Sequence, residues 1–221
     1  MFINLKNCKV YIISPATGKY ESRFYTILKR LIEVGFNRVE FFRSVKCDYI
    51  YDSLALTFVE IFKKELNNNE PFIIVEDDIE VWNMYETIEI PDTFSLLYLG
   101  VSKWAYPHIL PTIYLENRPH ILEHSFYTVQ SFNNELVTVK AMTSAHAILY
   151  NCRNFMKEFI ELFEEKGTRG IVGDLIYSAL LWTNQDKYTA YALKTPMFFQ
   201  DENIGGQESV TKILYNGYTY C

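Results

Sequence analysis

The sequence lacks the features that define several large classes of protein. Its 221 residues have a net charge of −6 and no basic cluster, which argues against a protein that scans nucleic acid. No apolar run approaches the length of a membrane span, and the first residues lack the apolar core and cleavage site of a secretory signal. We therefore expect a cytoplasmic protein with no membrane span and no nucleic-acid partner.

Cysteine pairs and glycine-rich motifs are also missing. The four cysteines are far apart, with no CxxC pair and no zinc-binding spacing, and are typical of free thiols in a reducing compartment. The chain has no Walker loop, no GxGxxG and no GxSxG motif. These absences argue against a kinase, a dinucleotide-dependent oxidoreductase and a serine hydrolase.

What is present favours one α/β domain. Hydrophobic residues make up 49% and charged residues 22% of the chain, an ordinary globular balance. Residues 9–14 and 39–42 are bulky and strand-like, and residues 20–34 between them have apolar side chains at helical spacing. Strand–helix–strand is the crossover unit of a parallel sheet. We predict a single domain over residues 1–221, with a mostly parallel central sheet flanked by helices.

An acidic triplet is the most informative local feature. Residues 72–75 form a short β-branched run typical of a buried strand, and Glu76, Asp77 and Asp78 follow it directly. Alternation along a strand directs Glu76 and Asp78 to one side and Asp77 to the other. Two carboxylates on one side suit a hard divalent ion, Mg²⁺ or Mn²⁺. The alternative is a solvated acidic turn between two strands.

Parallel strands would bring a second segment to the same place. Ligands of parallel sheets bind beyond the carboxyl ends of the strands. Ser14 and Pro15 follow the first predicted strand, so they and the acidic triplet should share one edge of the sheet.

Other candidate residues have plausible structural roles as well. Asp174 precedes an apolar helix predicted at residues 175–182, and is either its N-cap or a general base. His146 lies between small residues on a predicted strand and is more typical of the core than of a site. A zinc site formed by the irregularly spaced His108, His120 and His124 is improbable.

A series of segments follows one another along the chain: VYIIS, ESRFYTILKRL, a helix opening at DS, IIVEDDIEV, LLYLG, TSAHAILYN, GDLIYSALLW and TPMFFQDENIGGQES. In this order the segments resemble the GT-A fold glycosyltransferases, and in particular glycosyltransferase family 25, the lipopolysaccharide and collagen galactosyltransferase group. The resemblance covers roughly residues 9–105 and 141–210. The chain is similar also to the compact plan of small glycosyltransferases of large DNA viruses.

The resemblance implies roles for individual residues. Asp78 would be the principal metal ligand with Glu76 as its partner, and Asp174 the base of an inverting transfer. The residues near the nucleotide sugar would be Ser14, Pro15, Arg23, Ser53, Glu76 and Asp77. Many GT-A enzymes use a late histidine as a further ligand. No histidine follows His146 here, so Gln200, Asp201 or water would take that place.

The implied activity is metal-dependent transfer from a nucleoside-diphosphate sugar, a UDP-sugar for example, to a glycan or glycoprotein acceptor. Residues 1–105 would then form the half that binds the nucleotide sugar, and residues 106–221 the acceptor-side half. If the protein is viral, it would act in the host cytoplasm. Two alternatives are a Mg²⁺-dependent nucleotidyltransferase and a carbohydrate- or nucleotide-binding module without catalysis.

Overall fold

A computed structural model describes residues 1–48, 50–100, 129–139, 145–166 and 187–205. The helices are α1 (Lys19–Glu33), α2 (Ile50–Glu65) and α3 (Arg153–Lys166). The strands are β1 (Phe2–Asn4), β2 (Lys9–Ser14), β3 (Val39–Arg43), β4 (Phe72–Glu76), β5 (Ile79–Val81), β6 (Thr87–Glu89), β7 (Leu96–Tyr98), β8 (Val129–Ser131), β9 (Leu136–Val139), β10 (Ala147–Tyr150), β11 (Ala190–Leu193) and β12 (Phe198–Gln200). Short 3₁₀ turns lie at Leu5–Asn7 and Glu202–Ile204.

Eight of these strands form one sheet in the order β3-β2-β4-β10-β7-β11-β9-β8. β2 is parallel to β3 and β4, and β7 is parallel to β11. The other four neighbouring pairs are antiparallel. The prediction of α/β content is confirmed, but that of a mostly parallel sheet is wrong, because β10 inserts antiparallel between β4 and β7. The two halves of the chain interleave at the centre of this sheet, where β10 lies between β4 and β7.

Each face of the sheet has its own hydrophobic core. Alternate residues of the central strands point to opposite faces, as Tyr11 and Ile12 do on β2. One core packs against α2 and α3 and is rich in aromatic rings. The other packs against α1, whose Ile27 and Leu31 are fully buried. None of the described helices is long and apolar enough to cross a membrane.

Several boundaries differ from the sequence-based predictions. The sequence predicts a helix over residues 52–66 with Asp52 or Ser53 as its N-cap, but α2 begins at Ile50, so both residues lie in its first turn. The apolar run of residues 188–193 predicts the last strand of the chain and contains β11, but β12 follows it and pairs with β5. Strands β5 and β12 are each only three residues long, which is too short for a periodic pattern. The helix predicted at residues 175–182 lies outside the described residues. The sequence also predicts short strands around Tyr114 and Phe126, and these residues lie outside the described ranges too.

A buried hydrogen bond between Tyr11 and Glu65 links β2 to the end of α2, and its removal gives a first testable prediction. The Tyr11 hydroxyl donates a hydrogen bond to Glu65, which also accepts one from Lys9 at 2.9 Å and one from Asn68 at 2.8 Å. Tyr11→Phe should lower the free energy of unfolding by about 1 kcal/mol, because Glu65 keeps its other donors. Urea denaturation measures this change in the free energy of unfolding. Tyr25→Phe, at an exposed tyrosine, should change little, and an equal loss there would contradict the prediction.

Candidate functional site

The acidic triplet lies at the carboxyl edge of the parallel strands β2 and β4. Their register pairs Ile13 with Glu76, so the residues that follow, Ser14 and Asp77, are neighbours. The Ser14 hydroxyl donates a hydrogen bond to Asp77 and accepts one from the Ala16 N–H at 3.1 Å. The prediction that these two segments share one edge is therefore confirmed. The ring of Pro15 is exposed beside them.

Asp77 faces inward and anchors the turn to α1. Asp77 is only 7% exposed, and the Arg23 Nη1 atom lies 3.6 Å from the Asp77 Oδ1 atom. The Arg23 guanidinium lies over the Tyr20 ring, 4.9 Å from the centroid. Gly205 lies beside the Arg23 guanidinium and has a φ of +100°, a backbone conformation that favours glycine. Burial raises the pKa of Asp77, and hydrogen bonds from Ser14 and Arg23 oppose that rise.

Glu76 and Asp78 converge on one point. The Gln200 Nε2 atom lies 3.5 Å from Glu76 Oε2 and 3.5 Å from each carboxylate oxygen of Asp78. Glu76 is half-buried, and Asp78 is 8% exposed. Burial, reinforced by the negative charge of Asp77, raises the pKa of Asp78 to about 6. The folded chain therefore holds Asp78 where its charged form is disfavoured unless a cation is near.

Three contacts fix the position of Gln200. β12 pairs antiparallel with β5, and this pairing sets Gln200 opposite Ile79. The Asp201 N–H donates to the Asp78 carbonyl oxygen at 2.5 Å. Arg30 donates to Asp201 Oδ2 at 2.6 Å and to the Ile79 carbonyl oxygen at 2.8 Å. Of the two residues considered in place of a late histidine, Gln200 therefore faces the carboxylates, whereas the Asp201 side chain faces Arg30.

Removing the Arg30 contacts should loosen this arrangement. Burial raises the pKa of Asp201, but hydrogen bonds from Arg30 and Asn203 outweigh it and lower the pKa overall. Arg30→Met should lower the free energy of unfolding by about 1 to 2 kcal/mol, because Asp201 stays buried with only its Asn203 donors. Urea denaturation measures the change. Lys29→Met, at an exposed neighbour on the same helix, is the control, and an equal loss there would argue against a specific role for Arg30.

His146 belongs to the core. It is 2% exposed, and a Cβ atom on Gly100 would lie 2.2 Å from its Nε2. Burial lowers the pKa of His146 to about 4, so the imidazole is neutral at pH 7. Its carbonyl oxygen accepts the Glu76 N–H at 2.9 Å, so its backbone holds the end of β4 in place.

The remaining predicted site residues are placed differently. The Ser53 hydroxyl donates to the Val45 carbonyl oxygen, which links α2 to the segment after β3. Asp174 lies outside the described residues. So do the histidines of the improbable zinc site, His108, His120 and His124.

The donor atoms at this edge fit a hard divalent ion. Two carboxylates face one point, and rotating the Gln200 amide by 180° would present its oxygen there in place of nitrogen. Both aspartates of the triplet are buried, which argues against the solvated-turn alternative. The part of the chain that the structure describes has no group of three or more His, Cys, Asp or Glu side chains suited to a metal.

Sequence reasoning missed how Gln200 and Arg30 enter the site. The polar, glycine-containing sequence of residues 200–209 predicts a tail loop, yet Gln200 ends strand β12. The apolar residues Met197, Phe198 and Phe199 just before it are the one local signal of a strand. No local pattern indicates the role of Arg30, because its partner Asp201 is 171 positions away in the sequence.

Comparison with known proteins leaves the chain without an assigned relative: no protein-family model matches it, and no curated protein shows significant sequence similarity to it.

Proposed function

We propose that the protein is a metal-dependent glycosyltransferase of GT-A type, similar to family 25, whose donor is a nucleoside-diphosphate sugar such as a UDP-sugar. The observation that carries the proposal is the convergence of Glu76 and Asp78 on Gln200 at the carboxyl edge of β4. Ser14 and Arg23, which the resemblance also implicates, contact the same acidic triplet. The acceptor would be a hydroxyl group of a glycan or glycoprotein.

The residues divide into ligands and supports. Asp78, Glu76 and the Gln200 amide would hold Mn²⁺ or Mg²⁺. Ser14 and Arg23 hold Asp77, which keeps the turn that presents Asp78 rigid. When bound, the ion would neutralise charge on the departing diphosphate.

A base must act on the opposite side of the sugar. In an inverting transfer the acceptor oxygen bonds to the anomeric carbon as the bond to the diphosphate oxygen breaks, and the base takes the acceptor proton. We assign this role to Asp174 from the resemblance.

Calorimetric titration tests the donor site directly. Purified protein is titrated with UDP, GDP and CDP, each with Mn²⁺ and with EDTA. One nucleoside diphosphate should bind in the presence of metal, and EDTA should abolish its binding. Asp78→Asn should weaken the metal-dependent binding by about 100-fold, because it removes the charged ligand.

A matched variant controls for general charge effects. Glu89→Gln removes one exposed carboxylate from strand β6, which pairs with β1 and not with the strands of the triplet, and it should bind the nucleotide as the unchanged protein does. Absence of binding to all three nucleotides, with metal and without it, would refute the proposal.

A further inference from the structure

A second polar cleft lies at the opposite edge of the sheet, where β4 begins. It has a volume of about 380 Å³ and lies between the turn before β4, the residues before β7 and the first turn of α3. We call it the amino-edge cleft; its polar lining includes Asn69, Ser95, Asn151, Arg153 and Asn154. The five residues of β4 span about 16 Å, so the cleft is distinct from the acidic triplet.

The first turn of α3 gives the cleft a positive potential. The backbone N–H groups of Arg153 and Asn154 have no hydrogen-bond partner among the described residues. Cys152, which precedes the helix, has no oxygen atom in its side chain to cap them, and the first turn contains no acidic residue. Unpaired N–H groups and the helix dipole together favour an anion at this position.

Ser95 provides an independent observation that points to a ligand. It is 4% exposed, and its backbone is fully engaged: its N–H donates to Thr189 and its carbonyl oxygen accepts from Asn151. Within the described residues its hydroxyl has no hydrogen-bond partner, and Ser95 lines the cleft. The Ser95 hydroxyl therefore keeps a free donor in a residue that is almost wholly enclosed, and a ligand oxygen in the cleft would accept its hydrogen bond.

The charges around the cleft leave one cation without a carboxylate. Glu70 and Asp92 also line the cleft, but Glu70 pairs with Arg38 at 2.8 Å and Asp92 with the Met1 amino group at 2.6 Å. Arg153 donates only to carbonyl and amide oxygens of the turn before β4. Its positive charge is therefore not neutralised within the described residues.

We propose that the amino-edge cleft binds a phosphate group, either free phosphate or the phosphate of a larger monoester. The first-turn N–H groups of α3 and the Ser95 hydroxyl would donate to its oxygens, and Arg153 would supply the compensating charge. The proposal does not depend on the glycosyltransferase assignment, because it uses none of the residues of the acidic triplet.

Calorimetric titration with inorganic phosphate in the presence of EDTA tests the proposal, with chloride at equal ionic strength as the reference. Phosphate should bind saturably and chloride should not. Ser95→Ala should weaken phosphate binding about tenfold, and it should fold normally because the Ser95 hydroxyl has no partner in the part of the chain that the structure describes. Arg153→Gln should weaken binding roughly 10- to 100-fold.

Two controls separate the cleft from other sites. Lys157→Gln removes a cation from the next turn of α3 outside the cleft, and Asp78→Asn alters the acidic triplet; both should bind phosphate within about twofold of the unchanged protein. Equal binding of chloride, unchanged binding by Ser95→Ala, or an equal loss in Lys157→Gln would each overturn the proposal. Glucose 1-phosphate distinguishes the sources: tighter binding than phosphate assigns the site to a larger monoester, and equal binding to phosphate itself.

Discussion

Asp78→Asn should make the metal-free protein more stable at pH 7, by about 2 to 3 kcal/mol. Most substitutions of buried residues destabilise a protein, so this expectation is unusual. It follows from the position of Asp78, which is buried beside Asp77 and held at a raised pKa of about 6. Asparagine has nearly the same shape and no charge, so it avoids both desolvation and repulsion.

The sign of the pH dependence provides a second check. The pKa of Asp78 is raised from 3.8 to about 6 in the folded protein. A carboxyl group whose pKa is raised by folding stabilises the folded protein at pH values below its pKa in the unfolded chain. That contribution is lost as the pH rises through its pKa in the folded protein. Asp78→Asn and the unchanged protein should therefore have similar stability near pH 4 and differ most above pH 6.

Urea denaturation in EDTA at several pH values measures this difference. Asp92→Asn, at a mostly exposed carboxylate, is the control and should change stability little at any pH. Mn²⁺ should then stabilise the unchanged protein and not Asp78→Asn, because only the former retains the charged ligand. A variant that is less stable at pH 4 and pH 7 alike would contradict the argument.

Asp174→Asn should slow sugar transfer by about 10²- to 10⁴-fold while nucleotide affinity is unchanged. A general base contributes an effect of about this size. Asparagine caps a helix about as well as aspartate does, so this substitution keeps a capping role and removes only the basic group. Transfer is measured as release of the nucleoside diphosphate from the donor in the presence of glycan acceptors.

Each outcome at Asp174 selects one of the roles left open by the sequence. Full activity of Asp174→Asn, together with a loss of about 1 kcal/mol of stability in Asp174→Ala, would leave only the N-cap role. A protein that binds nucleotide but shows no transfer before mutation would be a binding module. Loss of sugar transfer in Asp174→Asn with intact nucleotide binding would support the general-base role of Asp174.

The parts predicted well from sequence are those set by local pattern. Residues 9–14 and 72–75 are apolar runs long enough to indicate buried strands, and the apolar spacing of residues 20–34 indicated α1. The crossover rule then placed Ser14 beside the triplet, as the register of β2 and β4 confirms. The direction of β10 could not be predicted, because a four-residue apolar strand suits a parallel or an antiparallel neighbour equally.

The sequence by itself determined the order of strands and helices at the start of the chain and the position of three carboxylates after a buried strand. Both follow from short-range periodicity and from the cost of burying charge. Only the tertiary structure decided which side chains meet those carboxylates. Gln200 reaches Asp78 across 122 positions through a pairing of two three-residue strands, and Ser95 and the start of α3 line one cleft from distant parts of the sequence. Such contacts depend on strand register, which no local pattern encodes.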